Sequence, residues 1–168
     1  MLTSLLKPEI KEWLMKSIHS ELFASNFYKH LANQMQRQGY FGAQKYFEHE
    51  SADELVHYTK LRDYVNDMGD IATIPMIEAF DYTVMSIGDA LNRAYTTELE
   101  LMKQYSDFYD EAEDDYGDCV TATFIIWFLQ KQRESVGEFG DLIVRYQRCG
   151  MNEAAILEFD EFLEEQIA

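Results

Sequence analysis

Basic residues, cysteines and long apolar runs are all scarce in this 168-residue chain. Lysine and arginine number 14 against 31 aspartate and glutamate residues, and the formal net charge of −17 argues against binding nucleic acid or an anionic membrane surface. No stretch approaches the roughly 18 consecutive apolar residues that a membrane span needs. The two cysteines, Cys119 and Cys149, lack metal-type spacing, so we expect packing residues in a reducing compartment.

The abundant residue types indicate a folded protein. Hydrophobic residues make up 47% of the chain and aromatic residues 14%, far from the composition of disordered segments. The length predicts a single domain over residues 1–168. The N-terminal stretch MLTSLLKPEIKE has no basic region followed by an apolar run, so we expect a soluble cytoplasmic protein.

Prolines, glycines and capping residues divide the chain into four long predicted helices and one short one. The first helix covers about residues 8–38 and begins with a proline, and the second covers about residues 43–68. The third begins near Ser86, where Ser-x-x-Asp resembles a capping box, and the fourth follows Asp118, which suits an N-cap. The short fifth helix covers about residues 152–166.

The connections between these helices predict the topology. The links between the first and second helices and between the third and fourth are short, so each pair is antiparallel. The connector at residues 69–85 has 17 residues and reaches at most about 56 Å when extended. Helices of this size are roughly 40 to 45 Å long. The connector can therefore return along the bundle, which predicts an all-α four-helix bundle with one long crossover.

Polar residues of the metal-ligand type interrupt the apolar stripe of each long helix. The stripes carry alternating spacings of three and four, as expected for helices that face a common core. The interrupting residues are Glu21 on the first helix, Glu54 and His57 on the second, Glu98 on the third and Gln132 on the fourth. Glu100 is the alternative to Glu98, but Glu98 is the glutamate that keeps the stripe spacing.

Glu54 and His57 lie three residues apart in SADELVHY, on one helical face. Such a pair alone is more typical of a surface pair or a hydrogen-bonded core histidine. Matching ligand types on all four helices favour a metal centre, because buried carboxylates with few basic partners need a cation.

An oxygen-rich set with one imidazole suits iron or manganese. We expect Glu21, Glu54 and His57 to hold one ion, and Glu54 and Glu98 the other. Gln132 would lie near the second ion or hydrogen-bond the site.

Four segments resemble the non-haem ferritins: HSELFASNFY, ESADELVHYTKLRDYVNDMG, TTELELMKQY and FIIWFLQKQRESV. The resemblance covers essentially the whole chain and implies a ferritin-like bundle with a short fifth helix. It also implies a dinuclear ferroxidase that oxidises Fe(II) with O2 or H2O2, and a homo-oligomeric shell of 24 subunits that stores ferric mineral. It places the ions on Glu21, Glu54, His57 and Glu98, with Gln132 beside them and Tyr28 as hydrogen-bond partner or electron donor.

Two further expectations follow from the resemblance. Haem is not expected, because bacterioferritins carry a haem-ligating methionine just after the second-helix glutamate, where this chain has Leu55. Some prokaryotic ferritins hold a third iron site, which Glu50, Asp53 and Glu134 could serve here. Lys131 and Ser135 stand at positions that are often acidic in those proteins.

Two other functions remain open from the sequence. One is a monomeric or dimeric bundle with two iron ions, or one manganese and one iron, that acts as an oxidase or peroxidase without storing mineral. The other is a structural bundle without metal. In that case Tyr28 would be a packing residue and Gln132 a buried amide satisfied by backbone groups.

Overall fold

The computed structural model describes residues 3–167 and consists of helices and their connections. The helices are α1 (Pro8–Gln38), α2 (Phe41–Asp67), α3 (Ile87–Asp110), α4 (Cys119–Gln147) and α5 (Glu153–Gln166). The described residues form no strand, and none of their helices is long and apolar enough to cross a membrane. The all-α prediction is confirmed. The single-domain prediction extends to residues 1, 2 and 168, which lie outside the described residues, and it stays a prediction.

Side chains at the helix starts explain where the helices begin. Pro8 occupies the first turn of α1, where its missing N–H leaves no donor unsatisfied. The Ser86 hydroxyl accepts from the Asp89 N–H, and the Asp89 carboxylate accepts from the Ser86 N–H, each at 3.1 Å. Asp118 and Asn152 cap α4 and α5 in the same way, by accepting a backbone N–H three residues further on.

Contacts at both ends show that α1 and α3 run antiparallel. Near the start of α1, the Trp13 indole donates to Glu111, which directly follows α3, at 2.7 Å. At the other end, the Gln38 side chain donates to the backbone oxygen of Met85, just before α3, at 2.8 Å. The same reasoning makes α2 and α4 antiparallel, because Tyr46 donates to Glu138 at 2.7 Å, while Tyr64 bonds to Thr121 at 2.8 Å.

The connector between α2 and α3 follows α1 along its length. Asp70, just after α2, pairs with Lys11 near the start of α1 at 2.8 Å, and Met85 lies at the other end of α1. Midway, Phe80 packs against Phe23 and Phe27 of α1. The long crossover is therefore confirmed, and α2 and α3 are parallel.

The short helix α5 packs against the start of α2. Tyr40, the residue before α2, makes no side-chain cap, and the Asp160 carboxylate of α5 instead accepts from the N–H groups of Gly42 (3.1 Å) and Ala43 (2.7 Å). A Cβ atom on Gly42 would lie 1.8 Å from the Asp160 backbone oxygen. Only glycine therefore permits this close approach, and α5 supplies the cap that α2 lacks.

The expectation that both cysteines are packing residues was wrong for Cys119. This residue is exposed, and Cys149 is half-buried. Cys119 is the first residue of α4. The connection from α3 to α4 includes a π-helical segment, Glu111–Asp115, which the sequence pattern did not indicate and whose Ala112 is fully buried.

Candidate metal centre

The four long helices bring five polar side chains together inside the bundle. Each of these residues lies near the midpoint of its helix, and none is more than 6% exposed. They are Glu21 on α1, Glu54 and His57 on α2, Glu98 on α3 and Gln132 on α4. Glu100, the alternative to Glu98, is exposed on the outer side of α3. The stripe spacing therefore identified the inward-facing glutamate correctly.

Glu21, Glu54 and His57 form one half of this group. Each offers a ligand atom, and these atoms all lie within 4.8 Å of one another. The His57 Nδ1 atom lies 2.9 Å from Glu54 Oε2 and 3.3 Å from Glu21 Oε2. Within residues 3–167, this histidine is the only cationic side chain that pairs with either carboxylate. The edge of Trp127 covers the imidazole, with the ring centroids 5.3 Å apart.

Glu98 and Gln132 form the other half, opposite α1 and α2. The Gln132 amide donates to Glu98 Oε2 at 2.6 Å, and the Tyr28 hydroxyl donates to Glu98 Oε1. Tyr28 is fully buried. Glu98 thus contacts both Gln132 and Tyr28, the two residues that the sequence placed beside it.

Two buried oxygen atoms in this group have no hydrogen-bond donor. They are Glu54 Oε2 and Gln132 Oε1, and Gln104, away from the group, holds the one other such atom among the described side chains. His57 Nδ1 lies close to Glu54 Oε2 but is not aligned for a hydrogen bond. A buried acceptor without a donor is costly. Cations bound at the two halves of the group would supply the missing partners, so the residues fit metal ions.

Burial and crowding perturb the protonation of the carboxyl groups. Burial, with Glu21 and Glu98 nearby, raises the pKa of Glu54 well above its usual range, and burial also raises the pKa of Glu98. Burial opposes ionisation of Glu21 as well, but contacts with His57 and Glu54 outweigh it and lower that pKa. Without metal, the group therefore keeps protons that a bound cation must displace.

The pKa of His57 is raised above its usual value by its acidic neighbours. Burial alone would lower it, but the hydrogen bond with Glu21 and the negative charges of Glu21, Glu98 and Asp53 together outweigh burial, and the pKa rises. Both nitrogen and oxygen ligands must lose or lack a proton before they bind a metal ion. A metal ion that binds this group would therefore release protons from it.

Tyr105 also contacts the group, although no sequence pattern indicated a role for it. Its hydroxyl donates to Glu21 Oε1, and the side chain is fully buried against Phe128, with ring centroids 4.9 Å apart. A tyrosine on an apolar stripe is usually a packing residue, which explains why it was missed. The available signal was spacing, because Tyr105 follows Glu98 by seven residues, as Tyr28 follows Glu21.

The residues of the expected third iron site do not all come together. His49, Glu50 and Asp53 form a group whose ligand atoms lie within 4.8 Å of one another. Glu134 pairs instead with Lys131 on its own helix, at 2.9 Å. Burial, with Glu138 and Glu98 nearby, raises the pKa of Glu50 to about 9. A third site at Glu50, Asp53 and Glu134 stays a prediction.

Comparison with known proteins decides the family. Residues 11–149 match the family described as Ferritin, a ferritin-like domain. The chain belongs to the ferritin-like family. A probable bacterial non-heme ferritin-like protein of Haemophilus influenzae is 23% identical over 161 residues, which cover 95% of this chain and 96% of the relative. A bacterial non-heme ferritin of Staphylococcus aureus is 25% identical over 159 residues and covers 95% of both chains. The resemblance to non-haem ferritins is confirmed.

Solved structures agree with the fold. The open pore ferritin from the archaeon Archaeoglobus fulgidus superposes with a TM-score of 0.91 at 21% sequence identity, covering 95% of this chain and 98% of that one. A closed form of the same ferritin, engineered by site-directed mutagenesis, gives 0.91 at 22% identity. The ferritin-like four-helix bundle with a short fifth helix is confirmed.

Proposed function

We propose that this protein is a ferroxidase that stores iron. Two Fe(II) ions bind as substrate at the bundle centre, one at Glu21, Glu54 and His57 and the other at Glu54 and Glu98 with Gln132 beside it. Each ion gives up one electron, and the two electrons with two protons reduce O2 to H2O2, or H2O2 to two water molecules; the ferric product then hydrolyses and is stored as mineral. The two buried oxygens without donors, Glu54 Oε2 and Gln132 Oε1, carry the proposal.

The residues around the ions support this chemistry. Three carboxylates provide anionic oxygen ligands, which stabilise Fe(III) more than Fe(II) and so favour oxidation. Glu54 has one oxygen without a hydrogen-bond donor and lies near a carboxylate of each proposed ion, Glu21 and Glu98, which suits a bridging ligand. Tyr28 and Gln132 hold Glu98 by one hydrogen bond to each of its oxygens.

Storage of mineral requires an assembly, and we propose a homo-oligomeric shell of 24 subunits in the cytoplasm. The resemblance to ferritins supports the assembly, and so do apolar side chains that a single chain leaves in water. Met76, Tyr82 and Val84 of the crossover are all largely exposed, Tyr82 at 97%. Such side chains mark protein contacts when they cluster.

Anaerobic titration of the assembled protein with Fe(II), followed by rapid mixing with O2, tests the proposal. We expect saturable binding near two ions per chain and fast oxidation of those ions. Absence of saturable binding near two ions would overturn the ferroxidase centre. Mass measurement tests storage separately, because the chain is 19.7 kDa and an assembly of one or two chains would favour the oxidase or peroxidase that stores no mineral.

A further inference from the structure

Helices α1 and α3 each carry a glutamate followed by a tyrosine seven residues later. The pairs are Glu21 with Tyr28 on α1, and Glu98 with Tyr105 on α3. Seven residues are two helical turns, so each pair lies on one face of its helix. Because the two helices run antiparallel, the glutamate of one faces the tyrosine of the other.

The hydrogen bonds follow that arrangement in both directions. Tyr28 donates from α1 to Glu98 on α3, and Tyr105 donates from α3 to Glu21 on α1. The contacts thus cross between the helices as a matched pair, one at each half of the centre.

Each tyrosine occupies one oxygen of its carboxylate. With Oε1 of Glu21 bonded to Tyr105, Oε2 is the oxygen that lies 3.3 Å from His57 Nδ1. Glu54 receives no tyrosine hydrogen bond, and its Oε2 has no donor. The tyrosine hydrogen bonds therefore distinguish Glu21 and Glu98, each of which accepts from a tyrosine at one oxygen, from Glu54, which accepts from neither tyrosine.

The Tyr105 hydroxyl is not needed for packing. The ring is fully buried and stacked on Phe128, so a phenylalanine would fill the same space. A buried hydroxyl is costly unless it is hydrogen-bonded, and Glu21 is its partner. Burial and the nearby Glu21 raise the pKa of Tyr105 well above its usual range, so the hydroxyl stays a donor.

We propose that Tyr105 is a positioning residue that holds Glu21 as a one-oxygen ligand and so sets the affinity of the ion bound by Glu21, Glu54 and His57. Tyr28 is the matching residue for the ion bound by Glu98. The identity of both ions as Fe(II) rests on the proposed function. The effect of Tyr105 on affinity applies to any divalent ion that Glu21, Glu54 and His57 bind.

The test uses the assembled protein and Co(II) as the probe, because its visible absorption reports the number and geometry of its ligands. The variants are Tyr105→Phe and the matched control Tyr28→Phe, with Glu21→Gln and Glu98→Gln to identify which binding step belongs to which carboxylate. We expect Tyr105→Phe to weaken the step assigned to Glu21 about tenfold and to change its absorption spectrum. Tyr28→Phe should affect the other step.

The double variant Tyr105→Phe with Glu21→Gln separates positioning from packing. If Tyr105 acts through Glu21, the double variant binds Co(II) like Glu21→Gln alone, because the two effects are not additive. Additive effects, or unchanged affinity and spectrum in Tyr105→Phe, would overturn the inference while wild-type binding leaves the proposed centre intact. A wild-type protein that binds neither Co(II) nor Fe(II) would overturn the proposed function itself.

Discussion

Two groups of similar side chains lie within nine residues of each other on α2, and their surroundings differ sharply. His49, Glu50 and Asp53 form one group, and Glu54 and His57 join Glu21 of α1 in the other. The His49 side chain is 48% exposed, whereas that of His57 is 8% exposed. Water solvates the charges of His49 and Asp53, whereas the Glu50 side chain is only 13% exposed and burial raises its pKa to about 9, so it can stay protonated.

The second group has no such solvent. Its carboxylates are buried with one histidine as their cationic partner, and two oxygens near them have no donor. A buried charge without a partner is expensive, so protons or a cation must neutralise it. Residue types alone therefore do not distinguish a metal site from a surface cluster. Burial of carboxylates without enough hydrogen-bond donors or cationic partners from the protein distinguishes the metal site from the surface cluster.

The largest expected effect comes from Glu54→Gln. Glutamine keeps the shape of the side chain but removes the charge of the proposed bridging ligand, so fewer than two ions should bind per chain and Fe(II) oxidation should slow by at least about 100-fold. The matched control is Asp53→Asn, the same chemical change one residue earlier in the exposed group, which should oxidise Fe(II) at nearly the wild-type rate. Equal losses in both variants would remove the distinction between the two groups. Fe(II) titration measures the number of ions bound per chain, and stopped-flow mixing with O2 measures the oxidation rate.

A metal should stabilise the protein through the buried group alone. At 100 times the dissociation constant, a bound ion raises the free energy of unfolding by about 2.7 kcal/mol. We expect this shift in the wild type and in Asp53→Asn, and little of it in Glu54→Gln. Thermal unfolding with and without Co(II) under anaerobic conditions is the measurement. A full shift in Glu54→Gln would place the stabilising ion elsewhere.

The metal-free protein should lose stability as the pH rises from about 5 to 9. The pKa of Glu50 rises to about 9, and those of Glu54 and Glu98 rise as well, chiefly through burial. A carboxyl group with a raised pKa favours the folded state when protonated, and that contribution disappears as the pH climbs through the folded-state pKa. Glu50→Gln should therefore be about 1 to 3 kcal/mol more stable than wild type at pH 8.

The control for that prediction is Glu48→Gln, an exposed glutamate on the same helix. Chemical denaturation of chelator-treated protein at pH 5, 7 and 9 compares the variants. A wild-type stability that increases over this range would show that these carboxyl groups are ionised in the folded protein without penalty.

The smallest effect is expected for the exposed group itself. His49→Ala should change Fe(II) binding and oxidation at the buried centre less than about twofold, because exposed charges at this distance are screened by salt. Repeating the titration at low and high salt measures any contribution to ion capture. A loss comparable to that of Glu54→Gln would mean that the exposed group is part of the centre.

Local sequence signals predicted most of the fold and much of the centre. Caps at Ser86, Asp118 and Asn152 marked helix starts because capping chemistry acts within three residues. Five polar residues on apolar stripes marked the buried group, since helical periodicity determines which side chains face inward.

What the sequence did not reveal depends on contacts between distant segments. Asp160 caps α2 from a helix more than 100 residues later, and no local pattern indicates such a partner. Tyr105 looks like any packing residue until the antiparallel register of α1 and α3 places it against Glu21. Glu134 carries the negative charge expected of a metal ligand, but it forms an ion pair with Lys131, one turn earlier on the same helix.

The long crossover also affects how the protein folds. It divides the chain into two helical hairpins, α1 with α2 and α3 with α4, whose contacts are local and form quickly, whereas joining the hairpins requires closing a longer loop. Glu21, Glu54 and His57 belong to the first hairpin, and Glu98 and Gln132 to the second. A metal ion bound by residues of both hairpins, as we propose, would link them, so its removal should weaken the contacts between the hairpins before those within each hairpin.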